Sequence, residues 1–192
     1  QCDWSSDVCS SDLLTKARPG QLNFPSSGIG STTHLSAELF KALAKIDLTH
    51  VPYKGSSQML PDLIAGQLAL AFDQITTTQP HIAAGKLRAL GISTAKRSRL
   101  MPALPTIAEG GMTSYEAISW NGLVVPSATP RSAIERLNQE TVKLLGTTAI
   151  AEKLASLGAE PAGGTAEQFA SFIKAESLRW GRLIDQLGIK PQ

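Results

Sequence analysis

The sequence predicts an α/β fold, with one nearly complete doubly wound lobe and the C-terminal helices of a second, incomplete lobe. Three observations support this prediction. Apolar runs alternate with helix-like periods over residues 22–93, the connections between them are short, and amphipathic helical stretches follow residue 128. Such alternation is typical of a parallel sheet with right-handed crossovers and helices on both faces.

Residues 14–118 are predicted to form the nearly complete lobe. Four strands are expected, at residues 22–24, 48–53, 68–73 and 87–93. Helices are expected between them, because Leu35, Leu39 and Leu43 recur at helical spacing and Gly66 is a typical helix end. Parallel sheets bind ligands at the carboxyl ends of their strands. Three predicted loops leave that edge, at residues 25–33, 53–57 and 73–77.

Residues 119–192 are predicted to form a crossover and the helical end of the other lobe. Thr129-Pro130 indicates a helix start, since proline is favoured at the first helical position. A short helix is expected at 149–157, and Thr165 with Gln168 matches the capping box of a third helix. Each helix has one apolar face, so we expect them to pack on a sheet that an upstream part of the protein encodes.

Residues 1–13 differ from the rest of the chain. Cys2 and Cys9 lie in a segment that nearly repeats itself, SSDVC and then SSDL. The segment lacks the basic start and apolar middle of a secretory signal, and its cysteines are too far apart for C-x-x-C. Asp3 to Leu13 back-translate in frame to a sequence that looks like a sequencing-library adapter. We therefore expect residues 1–13 to be non-native, and the natural protein to continue upstream.

The overall composition excludes several classes of protein. Hydrophobic residues make up 42% and charged residues 18% of the 192 residues, which is typical of a chain with a real core. No apolar run is long enough to cross a bilayer, so no direct membrane insertion is expected. The formal net charge is +2, without a basic cluster interleaved with aromatic residues, so no nucleic-acid partner is expected.

The stretch PSSGIGSTTH, Pro25 to His34, is the strongest candidate for a binding site. Its glycines let the backbone approach a ligand, and the helix that follows directs its unpaired N–H groups to the same point. Hydroxyl groups add neutral donors, which hold a small anion without a buried counter-charge. These features favour a carboxylate ligand. The alternative is a tight strand–helix turn that Ser31 or Thr32 caps.

Other chemistries fit the sequence less well. A Walker loop requires a lysine that is absent, and a dinucleotide fingerprint requires a glycine where Thr33 stands. His34, His50 and His81 lie in separate elements, without an acid–serine pairing or the spacing of metal ligands. We therefore expect no catalytic residue, no metal and no cofactor. His34 is expected on the polar face of its helix, solvated or near the ligand.

The stretch LNFPSSGIGSTTHLSAELFKALAKIDLTHVPYKG resembles the tripartite tricarboxylate transporter substrate-binding proteins, also called the Bug family of extracytoplasmic solute receptors. The resemblance continues through AGKLRALGISTAKRS and SWNGLVVPSATP, and it covers nearly everything from about Arg18. It implies a type II-like periplasmic binding protein, not an enzyme, whose two lobes close on a small carboxylate solute. That solute would be a dicarboxylate, a tricarboxylate or an amino acid, passed on to membrane permease subunits.

The resemblance also implies where the site lies and what precedes it. The second-lobe loop maps onto Ser26, Ser27, Gly28, Gly30, Ser31 and Thr32. Tyr53, Lys54 and Gly55 lie on the next loop of that edge. Asp73 lies on the third, where it would either meet a ligand ammonium or hydroxyl group or cap the following helix. A signal peptide for the periplasm and the first-lobe loop are expected upstream.

Two alternatives stay open at this point. The same fold serves in ligand-sensing modules of regulatory systems, and an enzyme could use the same cleft. The chain as written is expected to bind ligand poorly and to expose apolar surface, because half of the cleft and the sheet beneath the C-terminal helices would lie upstream.

Overall fold

The computed structural model describes residues 22–189, so the adapter-like segment 1–13 lies outside the described residues. The described residues divide into two compact units, one comprising those up to Ser119 with 188–189, the other Trp120–Leu187. Their elements are β1 (Asn23–Ser26), α1 (Thr32–Ala44), β2 (Thr49–Pro52), α2 (Ser56–Ile64), α3 (Ile75–Ala83), α4 (Arg131–Leu145), α5 (Thr148–Ser156) and α6 (Ala166–Leu187). Among the described residues, no helix has the length and apolarity needed to span a bilayer.

β1 and β2 form a parallel pair that α1 connects. Their register runs from Asn23 opposite Thr49 to Ser26 opposite Pro52. Phe24 and Ser26 are fully buried, so β1 lies inside the unit. Beyond the pair, the N–H of Tyr53 donates to the carbonyl of Ser26 at 2.9 Å. The two loops that follow β1 and β2 therefore leave the sheet side by side, as the predicted parallel topology requires.

The strand predicted at residues 68–73 is not a regular strand. This segment meets β1 at Ala69, whose N–H donates to the backbone and side-chain oxygens of Asn23 at 3.3 and 3.0 Å. The Asn23 amide in turn donates to the carbonyl of Gln67 at 3.1 Å. The Asn23 side chain thus bonds backbone groups of residues 67 and 69 that a regular third strand would pair with the backbone of β1.

The strand predicted at residues 87–93 is reduced to one parallel bridge, between Ile92 and Thr106. Ile92 donates its N–H to the carbonyl of Pro105 and accepts from the N–H of Ile107, both at 2.9 Å. Because Pro105 has no N–H, it cannot extend the ladder as a donor. The α/β character predicted for this unit is confirmed, but its regular sheet has two strands where four were expected.

Tyr115 ties the end of the first unit to α1. Its side chain is 1% exposed, and its hydroxyl donates to the carbonyl of Ser36 at 3.1 Å. The ring packs edge-on against Phe40, with centroids 6.1 Å apart, and beside Phe72 at 6.2 Å. The connection at residues 97–112, which is rich in proline and glycine, therefore leads back to the core, where Tyr115 anchors the chain.

The helices of the second unit begin where the sequence predicts. α4 starts directly after Pro130. The capping box is present, with Thr165 N–H donating to Gln168 Oε1 at 2.8 Å and Gln168 N–H donating to Thr165 Oγ1 at 3.2 Å.

Apolar side chains of the second unit are left uncovered, most of all Leu123 and Val124, which are 74% and 82% exposed. The apolar surface expected for this part of the chain is therefore present.

Candidate ligand-binding site

Two glycines and a serine shape the loop between β1 and α1. Gly28 and Gly30 have φ values of 144° and 75°, which side-chain-bearing residues rarely adopt. Ser31 closes the loop, because its N–H and its hydroxyl both donate to the carbonyl of Gly28, at 3.2 and 2.6 Å. Ser31 also caps α1, since its Oγ accepts from the N–H of His34 at 3.3 Å. The loop thus has the capped turn that the sequence offered as an alternative.

The remaining loop hydroxyls bond mainly to one another. Thr33 Oγ1 accepts from the N–H of Ser27 at 2.9 Å and lies 3.0 and 2.9 Å from the hydroxyl oxygens of Ser27 and Ser31. Since the Ser31 proton is directed to the Gly28 carbonyl, Thr33 must donate to Ser31, which leaves Ser27 to donate to Thr33. These three side chains therefore order the loop, a role different from the outward donors that the sequence suggested.

Three backbone N–H groups of the loop have no acceptor among residues 22–189. They belong to Ile29, Thr32 and Thr33. Thr32 and Thr33 open the first turn of α1, where N–H groups lack helical partners and the helix dipole is positive. Ile29 and Thr32 are exposed to solvent. Free amides at a helix start are the arrangement that suits a small anion.

Two histidines lie beneath the loop. His34 is 5% exposed, stacks on His50 with ring centroids 4.0 Å apart, and accepts from the N–H of Gly30 through Nδ1 at 3.0 Å. The expectation of a solvated His34 was wrong, because the apolar and polar sides of α1 are both buried around this turn. The alternative, a position near the ligand, stays a prediction. His50 Nε2 lies 2.7 Å from the buried hydroxyl of Ser26. Ser26 therefore supports the loop from inside.

Burial lowers the pKa of both histidines. For His34, desolvation is the main cause, while Glu38 raises the pKa and Lys41 lowers it. For His50, desolvation and the neighbouring His34 lower the pKa from 6.5 to about 4. Both imidazoles are therefore neutral at pH 7. The Nδ1 of His34 accepts a hydrogen bond, so its proton is on Nε2, 3.8 Å from Glu38 Oε1.

The stability of the first unit should consequently fall in mild acid. Above pH 6.5 both imidazoles are neutral in the folded and the unfolded chain, and the unit has its full stability. As the pH falls below 6.5, the unfolded chain binds protons first, so stability is lost, and for His50 the loss continues until its folded-state pKa of about 4 is passed. The loss should reach roughly 2 kcal/mol for His50 once solvent screening is allowed for. Urea denaturation at several pH values checks this, and an unchanged stability across the window would contradict it.

The second loop, residues 53–55, forms its side-chain hydrogen bonds with α2. The hydroxyl of Tyr53 donates to Asp62 Oδ2 at 2.7 Å, and this hydrogen bond raises the pKa of Tyr53. Lys54 is exposed, and Gly55 adopts a φ of 134° just before α2. The sequence did not signal the Tyr53–Asp62 pair. Tyr53 and Gly55 thus shape the start of α2, and Lys54 carries an exposed cationic group.

Asp73 joins the second and third loops. Its carboxylate accepts from the hydroxyl of Ser56 at 2.7 Å and from that of Thr77 at 2.8 Å. Ser56 begins α2 and Thr77 lies in the first turn of α3. Both carboxylate oxygens are engaged at helix starts, which favours the structural alternative for Asp73 over contact with a ligand.

A parallel strand pair followed by a donor-rich glycine loop is the arrangement typical of α/β proteins with an anion site at the ends of their strands. Residues 11–189 match the family described as "Tripartite tricarboxylate transporter family receptor". The chain belongs to this family, so the resemblance found in the sequence is confirmed. The family is one of transport receptors and not of enzymes.

Relatives and solved structures agree with this assignment. The chain is 42% identical over 175 residues to the UPF0065 protein in the tcbD-tcbE intergenic region of Pseudomonas sp. (strain P51), covering 90% of this chain and 52% of that protein. It matches the structure of R. palustris Rpa4515 with adipate at 38% identity and a TM-score of 0.83, covering 96% of this chain and 62% of that one.

A second solved structure extends the comparison. MatC (Rpa3494) from Rhodopseudomonas palustris, with bound malate, is 28% identical with a TM-score of 0.75, and the match covers 94% of this chain and 62% of that one. The chain therefore spans about half the length of the curated relative and somewhat more of the two solved chains. These similarities confirm the predicted solute-binding-protein fold.

Proposed function

We propose that this chain is part of a periplasmic receptor that captures a small dicarboxylate and delivers it to the membrane permease subunits of a tripartite transporter. The observation that carries the proposal is the set of three backbone N–H groups, at Ile29, Thr32 and Thr33 in the loop and first turn of α1, that find no acceptor within residues 22–189. The proposal includes the periplasmic location and the upstream signal peptide. The sensing-module alternative has no supporting observation in the described residues or in the comparisons.

A dicarboxylate is favoured by the ligands of the related structures. Adipate and malate, bound in the two solved relatives, each carry two carboxylates. In this chain, one carboxylate would accept from the N–H groups of Ile29, Thr32 and Thr33. Ser26, Ser27 and Ser31 would hold the loop in its conformation through the hydrogen bonds described above. Helix-terminal amides bind a carboxylate without a cationic partner. The second carboxylate would be bound outside this loop.

Amide-resolved NMR titration of the 192-residue chain with adipate tests the proposal. Shifts should be concentrated at Ile29, Thr32 and Thr33, with hexane-1,6-diol as the uncharged control ligand. The affinity should be weak, with a Kd on the order of 1 mM, because one loop supplies the donors. Equal shifts with adipate and the diol would contradict carboxylate recognition.

Thr32 offers a matched pair of variants. It is the first helical residue, where proline is tolerated, and the preceding Ser31 has an extended ψ of 162° that suits a following proline. Thr32→Pro therefore removes one N–H donor without breaking α1, and should weaken adipate binding about tenfold. Thr32→Ala removes the hydroxyl and keeps the donor, and should bind nearly as the parent does. Equal affinity of the two variants would exclude the Thr32 amide as a ligand donor.

A further inference from the structure

The glycine loop is attached to the protein interior at one titratable point. The N–H of Gly30 donates to Nδ1 of His34 at 3.0 Å, and the His34 side chain is 5% exposed. A nitrogen that accepts a hydrogen bond cannot carry a proton, so this contact exists only while His34 is neutral. Protonation of His34 would replace an attractive contact between Nδ1 and the Gly30 amide by a repulsion between two donors.

The partners of the two imidazoles keep them neutral and in place. His50 stacks on His34 at 4.0 Å with planes 15° apart, and Phe24 stacks on His50 at 5.0 Å. A second positive charge at that separation is strongly disfavoured. His50 is fixed in turn by the Ser26 hydroxyl at 2.7 Å, and the same hydroxyl accepts from the N–H of Gly28 at 3.2 Å. The stack therefore reaches Gly30 directly through His34 and Gly28 indirectly through the Ser26 hydroxyl.

The charged groups that act on the pair come from α1. Glu38 Oε1 lies 3.8 Å from Nε2 of His34 and 2.8 Å from Nζ of Lys41. Lys41 offsets much of the attraction that Glu38 would offer to a protonated His34. β1 contributes the uncharged ring of Phe24, and β2 contributes His50 itself. Nothing in these neighbours retains a proton on His34 at neutral pH, while burial opposes one.

We propose that His34, stacked on His50, is a positioning residue that holds the glycine loop in its carboxylate-binding form and releases it when protonated. The ligand would therefore bind well at neutral pH and weakly in mild acid. The predicted pH dependence of ligand binding rests on the proposed function. The release of the loop itself is independent of any ligand.

Two variants separate the positioning role from general packing. His34→Asn places an amide oxygen near the position of Nδ1, so the Gly30 contact is kept and no longer titrates. His34→Phe keeps an aromatic ring in the stack and removes the acceptor at every pH. His81→Asn, in α3, is the matched control for loss of a histidine outside the stack.

The first readout uses NMR without ligand. Ring ¹⁵N shifts should show His34 as the Nε2–H tautomer. As the pH is lowered from neutral into mild acid and His34 gains its proton, the Gly30 amide proton should move towards its unbonded shift. In His34→Asn the Gly30 amide shift should be independent of pH. In His34→Phe it should have its unbonded value at every pH, and in His81→Asn it should follow the same pH dependence as in the parent chain. A Gly30 amide shift that does not change when His34 is protonated would overturn the inference. So would the finding that neutral His34 carries its proton on Nδ1.

The second readout is adipate affinity over the same pH range. Adipate also gains protons there, so the decisive quantity is the ratio of parent to His34→Asn affinity at each pH. That ratio should fall about fivefold to tenfold in acid, as expected from the loss of one hydrogen bond. A constant ratio would overturn the link between His34 and binding. Absence of adipate binding at every pH would count against the proposed function, while the Gly30 shift still decides the role of His34.

Discussion

Gly28→Ala should remove measurable carboxylate binding and destabilise the first unit. A Cβ at this position would meet the carbonyl oxygen of Tyr53 at 3.9 Å, which is an ordinary contact. The cost is conformational, because a φ of 144° is open to glycine and strained for alanine. Strain of this kind costs roughly 1–3 kcal/mol. Relieving it would turn the Gly28 carbonyl away from Ser31 and disorder the start of α1.

A second glycine provides the control for this substitution. Gly181 lies within α6, and a Cβ there would meet nothing within 4 Å. Gly181→Ala should therefore stabilise its helix by about 0.5–1 kcal/mol. Adipate titration and hydrogen exchange of amides in each unit measure both variants. Retained adipate affinity in Gly28→Ala would show that the loop conformation is not needed for binding.

Tyr115→Ala should cause the largest loss of stability among single substitutions in the first unit, about 3–5 kcal/mol. The side chain is almost completely buried against Phe40 and Phe72. The substitution leaves a cavity of nearly the volume of the phenol ring. It also removes the hydrogen bond that the Tyr115 hydroxyl donates to the Ser36 carbonyl. Chemical denaturation measures this loss in the free energy of unfolding, and the hydrogen-exchange rates of the α1 amides provide a second measurement of it.

Tyr115→Phe divides the effect into packing and hydrogen bonding. It keeps the ring and removes only the hydroxyl, so the loss should be about 1–2 kcal/mol. Tyr53→Phe removes a hydroxyl bonded to Asp62 at a less buried position and should matter less. Similar losses for Tyr115→Ala and Tyr115→Phe would mean that the ring contacts contribute little to the core.

The sequence was most informative where local chemistry determines structure. The capping box of Thr165 and Gln168 depends on groups three residues apart, and Ser31 caps α1 through its own side chain. The glycine pattern also identified the loop correctly, since the φ values of Gly28 and Gly30 depend on the absence of a side chain. Features of this kind need little from the rest of the chain.

The sequence was less informative where distant residues compete. The run of residues 68–73 has the composition of a buried strand, but the Asn23 side chain takes up hydrogen bonds at that edge. His34 falls opposite the apolar stripe of α1, and its burial depends on His50, sixteen residues away on another element. The number of hydroxyl groups suggested donors for the ligand, whereas their directions were settled by Gly28 and Thr33.

The closed hydroxyl network of the loop separates affinity from selectivity. Because the side chains of Ser27, Ser31 and Thr33 are occupied with one another, the donors that face outward are mainly main-chain amides, which are chemically alike in any protein. Under the proposed function, such a loop would bind any carboxylate through the same donors and would not discriminate between the molecules that carry it. Related receptors can therefore diverge to new acids without altering this loop, provided that the residues around the far end of the solute change.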